Sequence, residues 1–157
     1  MEYWLVMKTI YDIQQKEDWD GLAKDLAQEL EPGSVIALCG PLGAGKTTFV
    51  QALSRVLGVD SNPRSPTFSL MRIYKLDSKQ YPEMKRLIHV DAYRFDKPTD
   101  VLSLNLEEEL VEQGTILAIE WPENMDDWLK RQKQRMFSLK VELQNDSQRH
   151  VTISGQA

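Results

Sequence analysis

Cysteine is almost missing from this chain: Cys39 is the only one in 157 residues. One thiol cannot close an internal disulfide, so burial and hydrogen bonding must hold the fold, as suits a reducing compartment. Long apolar runs are missing too, and no segment approaches the roughly 18 residues that a membrane-spanning helix needs. Residues 1–8 are too short and wrongly charged for a signal peptide, which predicts a cytoplasmic protein without a membrane role. Nor is there an excess of positive charge. Against 19 Lys and Arg stand 24 Asp and Glu, a net charge of −5. Such a chain lacks the overall basic field that holds nucleic acid nonspecifically. Any such contact must come mainly through a partner. Repeats, low-complexity tracts and Gly/Ser linkers are also absent, and the length suits one domain spanning residues 1–157.

What is present describes a globule. Apolar residues make up 41% and charged residues 27%, a balance that supports a core and excludes a disordered tail. Alternation predicts a strand over 3–13. Trp19, Leu22, Ala23, Leu26, Ala27 and Leu30 repeat at helical spacing, which predicts a helix over 18–31 ended by Pro32-Gly33. The apolar run 35–39 reads as a strand buried on both faces. A helix follows over 46–57, with Gly58 placed to cap it. Strands are expected at 68–76, 86–92 and 115–120. The acidic stretch 100–113 reads as a helix, and a short helix is expected from Pro122 to about Leu129. Residues 136–144 and 149–154 alternate around Asn145-Asp146-Ser147, the pattern of a terminal hairpin. The sum is an α/β fold with a mixed central sheet and a C-terminal β-hairpin.

The strongest chemical signal is Gly40-Pro41-Leu42-Gly43-Ala44-Gly45-Lys46-Thr47, which fills every fixed position of the P-loop pattern G-x-x-x-x-G-K-[ST]. A buried strand precedes it and an amphipathic helix follows, which makes it a three-layer P-loop NTPase-like arrangement. Glycines let the backbone wrap phosphates closely and aim its N–H groups inward. The helix N-terminus adds a favourable dipole. Lys46 is expected to reach the β- and γ-phosphates, and Thr47 to place its hydroxyl on Mg²⁺. Hydrolysis also needs an acid beside the metal. Asp91 ends Leu87-Ile88-His89-Val90, and Glu120 ends Ile116-Leu117-Ala118-Ile119. Both would stand at the carboxyl edge of the sheet, where α/β folds bind ligands. One division puts Glu120 toward the metal and Asp91 toward water, and the residues alone leave the choice open. There is no Asn-Lys-x-Asp, and Asp96-Lys97-Pro98-Thr99-Asp100 only echoes it. Adenine is therefore favoured over guanine.

Four motifs in order, Gly40 to Thr48, Ser65-Pro66-Thr67-Phe68, His89-Val90-Asp91-Ala92-Tyr93-Arg94 and Glu120-Trp121-Pro122, resemble the TsaE (YjeE) family of bacterial tRNA threonylcarbamoyladenosine biosynthesis ATPases. The resemblance runs over roughly residues 18–155. It implies an ATP- and Mg²⁺-dependent hydrolase that is an accessory to a tRNA-modifying complex. It also implies the partner proteins TsaD and TsaB, with tRNA reached indirectly through them, and a monomer or low-order oligomer when alone. Carried onto this chain, Gly40 to Thr48 become the ATP cradle and Thr47 and Glu120 the magnesium ligands. Asp91 becomes an acid needed for hydrolysis, and Thr67 part of a switch facing the γ-phosphate. Pro66 biases Ser65 toward an extended conformation. Arg149 falls where members carry a basic residue near the nucleotide, though a solvated hairpin arginine fits as well. Trp121 is placed to contact the nucleotide region, and Tyr93 and Arg94 to order the site's edge or meet a partner.

Other features have plainer readings. His89 reads as a packed strand residue in preference to a base. Asp18 suits a helix cap. It and Trp19 stand where the family often has a threonine, and the spacing of Trp19 favours the core. The basic run Lys130 to Arg135 reads as a solvated helix end. Two rival functions remain. A small-molecule P-loop kinase would need a second substrate site and an arginine-bearing lid, and no arginine-rich insertion is visible. A nucleotide-binding module without turnover fits poorly with Lys46, Thr47, Asp91 and Glu120 all present.

Overall fold

Strands and helices alternate along the chain, as the hydrophobic periodicities require. The computed structural model describes residues 6–59 and 70–156. The order is β1 (Val6–Ile13), α1 (Lys16–Glu29), β2 (Val35–Cys39), α2 (Lys46–Val56), β3 (Met71–Lys75), β4 (Arg86–Asp91), α3 (Pro98–Leu102), α4 (Leu106–Val111), β5 (Thr115–Glu120), α5 (Asp126–Lys130), β6 (Met136–Leu143) and β7 (Arg149–Gln156). A 3-10 turn, Pro122–Met125, leads into α5. No helix among the described residues is long and apolar enough to cross a membrane.

The strands form one 7-stranded sheet in the order β1-β7-β6-β2-β5-β4-β3. β2 pairs in parallel with β5 and β6, and β5 in parallel with β4. β7 and β3 run antiparallel to their neighbours, so the sheet is mixed. Side chains alternate across it and sort into two cores. Leu87, Ile116 and Ala118 face α1 and α2, where Phe49, Leu53 and Leu22 are fully buried. Ile88, Val90, Leu117 and Ile119 face α3, α4 and α5 through Val101, Leu106 and Trp128. Helices on both faces make this the expected three-layer P-loop NTPase-like fold. The C-terminal hairpin forms as β6 and β7, with the Asn145 side chain accepting from Ser147 and Gln148 N–H at its turn. β1 adds itself to the outer side of β7 and becomes the margin of the sheet, a pairing between opposite ends of the chain that no local pattern announces.

Two expectations change in detail. The acidic stretch 100–113 is not one helix but α3 and α4, broken at Asn105, which takes φ 50. A continuous helix would place Leu106 well off the face of Val101. The break turns both into the same core, and asparagine tolerates the left-handed conformation better than most residues. Helix α1 begins two residues earlier than the spacing suggests. Asp18 sits inside its first turn and accepts the Gln14 and Gln15 N–H groups at 2.9 and 3.1 Å. These bonds to the charged form hold its carboxyl below the usual range.

The end of α2 fixes how the chain leaves the nucleotide side. Gly58 takes φ +90, with its N–H donating to Arg55 O and Val59 N–H to Ser54 O, the paired bonds of a Schellman stop. A Cβ there would meet the Asp77 carbonyl carbon and oxygen at 2.6 Å. Gly58→Ala should therefore cost about 1–3 kcal/mol, read as a fall in Tm of about 2–4 °C per kcal/mol for a chain of this size. A thermal melt coinciding with wild type would refute this account of the stop.

Candidate active site at the P-loop

Parallel pairing brings the carboxyl ends of β2, β5 and β4 side by side, and each contributes to one cavity. In register, Leu38 stands beside Glu120 and Asp91 beside Glu120. Strand alternation puts Asp91, Glu120 and His89 on the side of α2, because Leu87 and Ala118, on the same faces of β4 and β5, belong to that core. The cavity measures about 350 Å³ and is lined by Leu42 to Thr48, Asp91, Glu120 and Trp121. Larger concavities of about 460 and 640 Å³ open elsewhere on the surface. Neither is lined by the P-loop.

The loop 40–45 is shaped by what lies beneath it. Gly45 takes φ +103 at the start of α2, and a Cβ there would come within 2.6 Å of the Trp19 ring. Trp19 is 5% exposed and packs against Phe49 at 6.3 Å between ring centroids. It belongs to the core, as its spacing predicts, and it is also the floor on which the P-loop rests. From the other side Arg149 of β7 donates to Ala44 O at 3.0 Å and Gly43 O at 3.3 Å. Its remaining donors reach hairpin carbonyls of Asn145, Asp146 and Gln148 at 3.4 Å. Arg149 thus braces the loop backbone and does not line the cavity. The sequence offers no local sign of this brace.

Lys46 is 6% exposed. Its ammonium donates to Gly40 O at 2.6 Å and lies 3.6 Å from the centroid of the Trp121 ring. Burial pushes its pKa down, while Glu120, Glu123 and Asp91 pull the other way. Trp121 reaches this position because it follows Glu120 with φ 59, a left-handed turn that is costly for a bulky residue. Tyr93 packs against the same ring, tilted by 54° with 5.0 Å between centroids. Tyr93 and Arg94 are themselves exposed.

The two oxygen groups suited to a metal are already in contact. Thr47 Oγ1 donates to Glu120 Oε1 at 2.7 Å. Glu120 is 3% exposed, and its other oxygen stands 3.5 Å from Nε2 of the fully buried His89. Burial pushes the Glu120 carboxyl up. His89, the Thr47 hydroxyl and Lys46 outweigh it and hold the group below its usual range. Asp91 is half-buried and accepts the Tyr93 N–H at 3.1 Å. A hydroxyl and a carboxylate, with no cluster of three or more His, Cys, Asp or Glu among the described residues, suit Mg²⁺. That ion takes few protein ligands and completes its octahedron with phosphate oxygens and water. Cys39, at the end of β2, has its thiol pKa raised chiefly by burial and then by Glu123, which disfavours the thiolate.

Thr67 and the rest of Ser65-Pro66-Thr67-Phe68 lie outside the described residues. The basic run is tied down by acids: Lys130 pairs with Asp126 at 2.6 Å and Arg135 with Glu29 at 3.4 Å. The Asp100 of the guanine-like echo caps α3 by accepting the Asp96 and Lys97 N–H groups.

The depressed Glu120 carboxyl makes a signed prediction. Stability drawn from a lowered carboxylate is present above the unfolded pKa and lost as pH falls through the folded one. The deficit of Glu120→Gln against wild type should thus be largest near neutral pH and shrink below about pH 4. Denaturant melts at both pH values measure it, and a deficit independent of pH would refute the charge argument.

Comparison with known proteins agrees with this fold. Residues 13–151 match the family model described as threonylcarbamoyl adenosine biosynthesis protein TsaE. A curated relative from Aquifex aeolicus, named tRNA threonylcarbamoyladenosine biosynthesis protein TsaE, is 39% identical over 90% of this chain and 92% of its own. A relative of the same name from Nostoc sp. is 43% identical over 72% of this chain and 67% of its own. The crystal structure of YdiB from Bacillus subtilis superposes with a TM-score of 0.72 and 25% identity, covering 98% of this chain and 88% of that one. The chain belongs to the TsaE family.

Proposed function

We propose that this protein is a Mg²⁺-dependent ATPase serving tRNA threonylcarbamoyladenosine synthesis. In this reading it acts as one unit over its whole length, in the cytoplasm, on a TsaB–TsaD pair that holds the tRNA. The name of the family supports the pathway, and the resemblance of the four motifs to that family supports the partners. The observation that carries the chemistry is the meeting of Lys46, Thr47, Glu120 and Asp91 in one cavity at the N-terminus of α2.

The arrangement assigns each group a task. Backbone N–H groups of the loop and of the first turn of α2 receive the phosphates. Lys46 exchanges the Gly40 carbonyl and the Trp121 face for phosphate oxygens. Thr47 and Glu120 would hold Mg²⁺, which supplies neutralisation of the charge that spreads over the phosphoryl oxygens. The Thr47 hydroxyl keeps a lone pair for this while donating to Glu120. Asp91, at the half-open side, orients water for in-line attack. Among the described residues the cavity lining holds no arginine to stabilise the transferred phosphoryl. Slow hydrolysis alone, raised by partners, is the behaviour expected in this reading.

Two measurements test the reading. Glu120→Ala should cut Mg²⁺-dependent ATP hydrolysis by about 10²-fold, the usual loss when one electrostatic stabiliser is removed. Turnover within twofold of wild type, at the precision of such assays, would remove Glu120 from the metal site. Adding purified TsaB and TsaD should raise phosphate release. Equal rates with and without them would end the coupling proposal, and phosphate transfer to a small metabolite would replace it with a kinase.

A further inference from the structure

His89 is the most anomalous side chain in the sheet. It is fully buried in β4 among Leu87, Ile88 and Val90, and neither ring nitrogen has a hydrogen-bond partner among the described residues. A buried imidazole left unpaired costs stability, and an aliphatic residue would fill the position without that cost. Glu120 Oε2 stands 3.5 Å from its Nε2. The approach follows from the register. His89 pairs with Ala118, so its ring lies one pleat before Glu120 on the same face of the sheet.

We propose that His89 is a positioning residue that orients the Glu120 carboxylate for Mg²⁺. The proposal rests on the reading of Glu120 as a metal ligand. A glutamate carboxylate rotates broadly about its last torsion, which has no sharp wells. Thr47 fixes one oxygen at 2.7 Å. That single bond leaves the plane of the group free to turn about it. A second point of contact at Oε2 sets the plane. Nε2 stands 3.5 Å from that oxygen and is not hydrogen-bonded to it here; in the tautomer with the proton on Nε2, a small closing movement would supply the contact and leave the other lone pair of Oε2 for a cation. Partners of this kind behind a ligating carboxylate typically change metal affinity by about 10–100-fold when removed. His89 is absent from the cavity lining. Its effect passes through Glu120 alone.

The test reads binding and not turnover. A fluorescent, non-hydrolysable ATP analogue is titrated with and without Mg²⁺ into wild type, His89→Leu, His89→Phe and His89→Gln. Thr115→Val serves as a control, because Thr115 Oγ1 is another buried unpaired atom, at the opposite end of β5. Removing the donor with Leu or Phe should raise the Mg²⁺ concentration needed for half-maximal tightening by about tenfold. Metal-free affinity should stay within about twofold, as expected if only the ligand's orientation changes. Gln, which restores an N–H of similar reach, should recover most of the Mg²⁺ response, and the Thr115→Val control should not move it. Phe retains the bulk of the ring, so it answers if Leu alone disturbs folding. A wild-type Mg²⁺ response in both donorless variants overturns the positioning role and leaves the ATPase reading standing. So does a Gln variant as impaired as the donorless ones. If wild type itself ignores Mg²⁺, the metal reading of Glu120 falls, and the role of His89 falls with it.

Discussion

The hydrogen bond from Thr47 to Glu120 joins the first turn of α2 to the last residue of β5, and the rest of the site is arranged around it. It requires β2 and β5 to lie side by side in parallel, with Leu38 opposite Glu120. It requires α2 to pack on the correct face, which Phe49, Val50 and Leu53 secure by complete burial. It also requires the alternation of β5 to be in phase. A slip of one residue would turn Glu120 into the core of α3 to α5, where its neighbours would be aliphatic and its charge unpaired. Hydrophobic packing thus selects the register, and the register determines which oxygen atoms meet.

Electrostatics at the site run against simple expectation. Glu120, Glu123 and Asp91 all act on Lys46, and burial opposes them by weakening its hold on the proton. A triphosphate brought to this cavity meets two carboxylates, and like charges at such range repel strongly where water is scarce. Backbone dipoles and one lysine offset part of that repulsion. A divalent cation between phosphate and carboxylate would reverse its sign, and in the proposed reading the acids would then favour metal-assisted binding. The surplus of acid visible in the composition is therefore partly local.

Much of this was legible from local pattern. The apolar run at 35–39, the P-loop and the periodicity of α2 lie next to one another in the chain, and each part reinforces the others' reading. Trp19 and Gly58 also behaved as their spacing and position suggested, and the hairpin followed from alternation around Asn145. What escaped depends on contacts between distant segments. β1 borders the sheet because its register matches β7 over eight residues, which no window of sequence contains. The break at Asn105 answers a demand of the core, since Val101 and Leu106 must both turn inward. The resting partners of Lys46 were hidden for the same reason. The left-handed turn at Trp121 arises after a buried strand, and its consequence appears only where the P-loop comes back beside it.

The brace from Arg149 also orders events in time. Arg149 lies 105 residues beyond the Ala44 carbonyl that it holds. During synthesis the P-loop sequence leaves the ribosome long before its brace exists, so a nascent chain that carries the whole phosphate-binding motif still lacks the contact that holds the loop backbone from the hairpin side.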